Sequence, residues 1–332
     1  MKKKEPRGVN MIRPSFPSTF LAFASVESAL MKSQRHFGIA ANYTCATRSF
    51  GRFLSLQGCA DVPFSHMTPC LMANYEAWLL SHGVCRNTSS CYMRSLHSIY
   101  NKAVRQGLAM GNPFAEVYTG VARTKKRAVS REVIRRIYHL DIQGELVRMG
   151  RDAHRKTFAH VAADIQLTRD LFIFCFCARG LTFVDAAYLK RQNLAGNLLR
   201  YTRHKTGQHM EVKIEPMMWE ILNRYASNSP FLFPILHATD ALTAYRQYRS
   251  ALRCYNRNLK VLSSMLGGNI QLTSYVCRHS WATTAYQQQV PLSVISQAMG
   301  HDSELTTRIY LKSLENSTID NANHALLKSV FS

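Results

Sequence analysis

The stretch TSYVCRHSWATTAYQQQVPLSVISQAMGHDSELTTRIY, residues 273–310, reads as three short helices joined by two turns. Ser274 is placed to cap the first helix and Pro291 to open the second. Gly300 closes that second helix, which leaves His301 in the turn before a third helix beginning near Ser303. Packing of three such helices would bring Arg278, His301 and Tyr310 to one concave site, although 32 positions separate the first from the last. Taken alone, Tyr310 is an amphipathic aromatic on a short helix; its company at those separations makes it a candidate for chemistry.

The rest of the chain says what such a site would face. Of 332 residues, 42 are Lys or Arg and 20 are Asp or Glu, a formal net charge of +22. That imbalance attracts a polyanion over long range, and nucleic acid is the expected partner. A membrane is not expected, since no run of 18 apolar residues exists to span a bilayer. A secretory signal is not expected either, because Pro14 and Pro17 interrupt the approach to the short apolar run STFLAFASV. The nine cysteines are odd in number and form no CxxC pair, which fits reduced thiols in a cytoplasm and argues against structural zinc. Cys175 and Cys177 fall inside LFIFCFCA and read as helix core.

With 46% hydrophobic residues the chain can bury two cores. Residues 1–14 read as a basic tail, 15–118 as a helical domain, 119–130 as a linker and 131–332 as a second, mixed domain. In the first domain, MTPCLMANYEAWLLSHG carries Thr68 as an N-cap, Pro69 at the first helical position and an apolar stripe of Leu71, Tyr75 and Leu79. RNTSSCYMRSLHSIYNKAVRQGL repeats the design, with Thr88 or Ser89 as cap, a Tyr92, Leu96, Tyr100 stripe, and Gly107 at its end. Arg86, Arg94, Lys102 and Arg105 on this helix, and Lys125, Lys126 and Arg127 in the linker, are candidate phosphate contacts. Ser130 caps REVIRRIYHL, a long helix runs through FAHVAADIQLTRDLFIFCFCARG, and LLRYTR and HMEVKI read as two strands around a KTGQ turn.

Carboxylates for a metal site are scarce: there is no HExxH, no GxxxxGKS and no evident set of acids spaced for two metals. The second half instead supplies Arg179, Lys205, Arg278, His279 and His301 together with a late tyrosine. A phosphoryl-transfer site without metal needs such groups, because charge building on phosphate oxygens must be met by fixed donors, and guanidinium forks fit them.

In the 273–310 stretch an Arg-His pair is followed 23 residues after the Arg by a histidine preceded by glycine, and nine residues later by Tyr310. This pattern, with RHSWAT and TTRIY between, resembles the C-terminal signature of the tyrosine recombinase (phage integrase) family. The resemblance implies a mainly α fold with a small β-sheet, in two domains that form a C-shaped clamp on DNA. One would be a helical, SAM-like core-binding domain and the other a mixed α/β catalytic domain. It also implies an enzyme that needs neither metal nor ATP. Tyr310 would be the nucleophile that makes a 3′-phosphotyrosyl link, Arg278 and His301 would hold the phosphate, and Lys205 would protonate the leaving 5′-oxygen.

Two positions depart from the family. Tyr275 stands where a histidine is usual, and Thr182 where the first arginine is usual. CARGLTFVDAAYLK is similar to the RGMxFxD subgroup of conjugative-transposon integrases and DNA invertases, in which Arg179 would replace the missing group by sharing a helix face with position 182. The resemblance further implies double-stranded DNA with inverted-repeat core sites, no cofactor, action in the bacterial cytoplasm, and a tetramer on two sites. That tetramer would assemble through a C-terminal tail bearing Ile319, Leu326, Leu327 and Val330. A recombinase that binds DNA without cutting it is the alternative.

Overall fold

The computed structural model describes residues 17–122, 127–150, 157–301, 303–311 and 327. The chain forms two compact units, residues 1–124 and 125–332.

Unit one is helical: α1 (Phe20–Ser33), α2 (Phe37–Leu56), α3 (Pro69–Ser81) and α4 (Arg86–Arg105). The apolar run near its start is α1, which buries Phe20, Phe23 and Ala24 against α2 and α4. Its core is dominated by aromatic rings, among them Phe50, Tyr75 and Tyr100, with Phe50 and Tyr75 edge to face at 5.0 Å. Burying each large apolar side chain contributes about 1.5–3 kcal/mol, and aromatic pairs add somewhat more. Thr68 caps α3 as expected, its hydroxyl accepting from the Leu71 amide at 3.2 Å. The buried stripe is Met72, Tyr75 and Leu79, so Leu71 is displaced from the expected set by one position. In α4 the expected cap is corrected to Cys85, because the Thr88 and Ser89 amides already bond to the Cys85 carbonyl. The buried stripe is correspondingly Met93, Leu96 and Tyr100 rather than one beginning at Tyr92.

Of the stretch expected as linker, Gly120 and Ala122 are tied to unit one. Ser90 donates to the Gly120 carbonyl at 2.5 Å, and the Asn87 amide both donates to and accepts from Ala122. At the other end, the Val129 amide donates to Ser280 within unit two.

Unit two comprises α5 (Arg131–Tyr138), α6 (Ile142–Arg148), α7 (Phe158–Cys177), α8 (Phe183–Tyr188), then β1 (Leu194–Ala195), β2 (Leu198–Thr202) and β3 (His209–Lys213). It continues through α9 (Pro216–Arg224), α10 (Ala241–Leu266), α11 (Val276–Gln287), α12 (Leu292–Met299) and α13 (Glu304–Leu311). The fold is therefore mainly helical with a small sheet. Helix α7 is apolar nearly all round because it packs on α5, α6, α8, α9, α10 and α11. The sheet is antiparallel in the order β1-β2-β3, with Tyr201 opposite Met210 and Thr202 opposite His209. That register leaves the segment around Lys205 as the hairpin turn between β2 and β3.

The stretch 273–310 folds as three helices with His301 between the second and third. Gly300 ends α12 in the left-handed conformation, φ 63°. Ser274 does not cap α11; its amide is held by Asn256 of α10 at 3.0 Å, so the helix starts after Tyr275. A small core of Ala282, Ile295 and Met299 fastens α12 to α11, and α13 packs on both.

Candidate active site

Arg278 lies on the first turn of α11 and is 4% exposed. Its Nη1 donates to the Gly180 carbonyl at 2.7 Å, and its Nη2 donates to the Met299 carbonyl at 2.6 Å and to His301 Nε2 at 3.0 Å. This close docking requires Gly180. Its φ is +73°, and a Cβ there would sit 3.0 Å from the Arg278 Cα. One side chain thus gathers the loop before α8, the end of α12 and the histidine turn.

Because a guanidinium only donates, His301 Nε2 must accept, and the neutral ring then carries its proton on Nδ1, which reaches the Thr307 hydroxyl of α13 at 2.8 Å. Burial, and then the charges of Arg278, Arg203 and Lys205, push the His301 pKa down to about 4. The expected role of His301 as a donor to phosphate is therefore not preformed. An anion in the site would favour the proton that makes it a donor. Tyr310 is in α13, three residues after the buried Thr307, and its side chain lies outside the described residues.

Lys205 is exposed on the β2–β3 turn, close enough to influence His301. The turn is fastened on both sides. Arg203, 5% exposed, donates from Nη1 to the Gly300 carbonyl and places Nε 4.0 Å from Asp185 Oδ2. The His204 amide donates to Asp185 Oδ1 at 2.8 Å, and the His204 ring lies 4.3 Å from that of Tyr188. Asp185 also accepts from Thr182 at 2.6 Å, and these donors outweigh burial to hold its carboxyl below the usual carboxylate range. Gly300 is needed twice over: besides its φ, a Cβ would stand 2.8 Å from Arg203 Cδ and from Met210 Sδ.

Arg179 does not share a helix face with Thr182, as expected for a replacement of the missing arginine. It sits in the turn after α7 with φ 59°, and Thr182 is the N-cap of α8. Its guanidinium donates to the Glu211 carbonyl of β3 at 3.2 Å. The second buried guanidinium beside His301 is Arg203, which sequence reasoning passed over; its only signal was the Arg two places before the hairpin lysine. Tyr275 is half exposed at the head of α11, its ring 6.3 Å from that of His279.

Among the expected phosphate contacts of unit one, Arg94 and Arg105 are exposed on α4, and the Arg86 guanidinium lies 4.1 Å from the Tyr118 ring centre. Lys102 is a correction. Its ammonium pairs with the buried Glu27 at 2.7 Å and is spent inside the unit. Arg127 is exposed, and Lys125 and Lys126 lie outside the described residues, as does the C-terminal tail apart from Leu327, which is exposed.

A larger basic surface was missed. Arg246, Arg249, Arg253, Arg257 and Lys260 recur every three or four residues along α10 and are all exposed, while Tyr255, Leu259 and Leu262 of the same helix are buried. Asn256, beside this stripe, is the residue that holds the head of α11.

The fold and site define a helical, two-unit chain with cations gathered around His301. Two family models match it: the Phage integrase SAM-like domain over residues 19–121 and the Phage integrase family over residues 153–317. The chain belongs to the phage integrase, or tyrosine recombinase, family. It is 29% identical over 146 residues to the tyrosine recombinase XerD of Lacticaseibacillus casei, a match covering 43% of this chain and 50% of that protein. The chain thus matches about half the length of this curated relative. Its fold is similar to a lambda integrase dimer bound to a COC′ core site, with a TM-score of 0.60 and 14% identity over 90% of this chain and 79% of that one. A lambda integrase tetramer bound to a Holliday junction gives a TM-score of 0.59 at 13% identity, over 88% and 77% of the two chains. Among the described residues no helix is long and apolar enough to cross a membrane, and no group of three or more His, Cys, Asp or Glu is placed to hold a metal ion.

Proposed function

We propose that this protein is a site-specific DNA recombinase. The observation that carries the reading is the meeting of Arg278 and His301 at 3.0 Å, one helix away from Tyr310 and beside the anchored turn of Lys205. Tyr310, its hydroxyl proton released to solvent, attacks a DNA phosphorus as the phenolate while the bond to the 5′-oxygen breaks. The products are a 3′-phosphotyrosyl link and a 5′-hydroxyl, whose proton comes from Lys205. The hydroxyl of a second strand then reverses the step, so the energy of the broken bond is kept in the covalent link. A tyrosine hydroxyl titrates near 10 and is a poor nucleophile when neutral; the cations around His301 (Arg278, Arg203 and Lys205) favour its anion. Tyr275, half exposed at the head of α11, is a poor proton acceptor near neutral pH.

The basic stripe of α10, with Arg86, Arg94, Arg105, Arg179 and Arg127, supports duplex DNA as the substrate. The finer reading is an invertase or mobile-element integrase acting at short inverted repeats as a tetramer on two sites. It is supported by the RGLTFVD segment and by the similarity to the lambda integrase tetramer. A nicked suicide substrate tests the chemistry: wild type accumulates a covalent protein–DNA adduct, and Tyr310→Phe forms none. An equal adduct from Tyr310→Phe overturns the nucleophile. Thr182 and Tyr275 favour one second reading, a recombinase that has kept only DNA binding; tight specific binding with no adduct on any cognate site would establish it.

A further inference from the structure

We infer that Arg203 is a positioning residue that locks the Lys205 turn to the Gly300–His301 turn, so that the leaving-group acid and the phosphate cradle address the same phosphate. The inference rests on the recombinase reading above. Arg203 reaches both turns at once: its backbone closes the hairpin through bonds with Gln208 and Gly207, and its side chain donates to the Gly300 carbonyl and lies against Asp185. Asp185 in turn holds the next residue of the hairpin, His204, by its amide. Lys205 is therefore the exposed tip of a turn gripped by its two preceding residues. A Cβ at Gly300 would meet the Arg203, Gln208 and Met210 side chains at 2.8 Å, so the contact is close.

Packing alone does not call for a cation in this place. Burying a guanidinium costs desolvation that an apolar chain of similar volume avoids, so a buried arginine is weak evidence of stabilisation. What the fork supplies and an apolar chain cannot is a directed bond to the carbonyl immediately before His301.

The test separates proton delivery from every other step. Adduct formation is timed on two nicked substrates, one with the ordinary phosphodiester and one with sulfur in place of the bridging 5′-oxygen, whose thiolate leaves without a proton. General acid catalysis contributes at least about 100-fold, and Arg203→Met should lose about that much on the oxygen substrate while keeping a rate near wild type on the sulfur substrate, as Lys205→Ala should. Should Arg203→Met not fold, Arg203→Lys, which keeps the charge but not the fork, is read in the same way. Equal slowing on both substrates, or no slowing on either, overturns the positioning role while leaving the recombinase reading intact. No adduct from wild type on either substrate removes that reading, and this inference with it.

Discussion

Unit one and unit two each fix a cation by hydrogen bonds, and the acceptors differ in kind. Lys102 in α4 is matched by the Glu27 carboxylate at 2.7 Å, so the pair is neutral and its field ends at the pair. Arg278 in α11 donates to the carbonyls of Gly180 and Met299 and to an imidazole, all of them neutral acceptors. Hydrogen-bond satisfaction and charge neutralisation are separate matters. Neutral acceptors fix a cation in place, whereas a carboxylate also cancels its field. Burial first, and then the charges of Arg278, Arg203 and Lys205, hold the His301 pKa down to about 4.

The comparison can be broken most sharply at the two cations. Arg278→Met should reduce adduct formation about 100- to 1000-fold, the usual loss when one fixed donor to a developing phosphate charge is removed, measured as single-turnover rate at saturating DNA. Lys102→Met should leave that rate unchanged and instead destabilise unit one by about 3–5 kcal/mol, because Glu27 stays buried without its partner; chemical denaturation checks it. A large rate effect from Lys102→Met would mean that its charge acts outside unit one.

Gly300→Ala sharpens the structural side. A left-handed alanine costs about 1–2 kcal/mol before its clash with Arg203 and Met210 is counted. The expected result is a lowered melting temperature together with slowed adduct formation, since both anchored turns must move.

A further expectation concerns pH. His301 binds its proton less well folded than unfolded, so between about 4 and 6.5 the unfolded chain holds more protons. This contribution to stability is complete above about 6.5 and is lost as the pH falls toward 4. His301→Gln should flatten that part of the stability profile, measured by urea unfolding at pH 7 and pH 5. The smallest effect is expected from Arg253→Gln combined with Arg257→Gln on α10. If both contact phosphates, the slope of log affinity against log salt should fall by about 2, with the cleavage rate of bound DNA little changed.

Much of this was readable from residue order. The three helices of 273–310, the glycine that ends α12 and the hairpin around Lys205 follow from capping, periodicity and turn chemistry, which act over a few residues. The errors were of two kinds. Caps slipped where a distant residue intervened, as when Asn256 takes the Ser274 amide. Charges were misjudged because a lysine bound for Glu27 and one bound for phosphate look alike in one dimension. The α10 stripe, by contrast, was legible from spacing alone and was simply overlooked.

The order and spacing of Arg278, His301 and Tyr310 are properties of the chain itself, as are the helical turns that carry them, because local backbone preferences operate within one helix or one turn. Which cations are neutralised, which tautomer His301 holds and which arginine joins the two turns are decided only in the folded protein. Those outcomes depend on distances between groups far apart in the chain, such as Arg203 to Gly300 and Arg278 to Gly180, which no local preference determines.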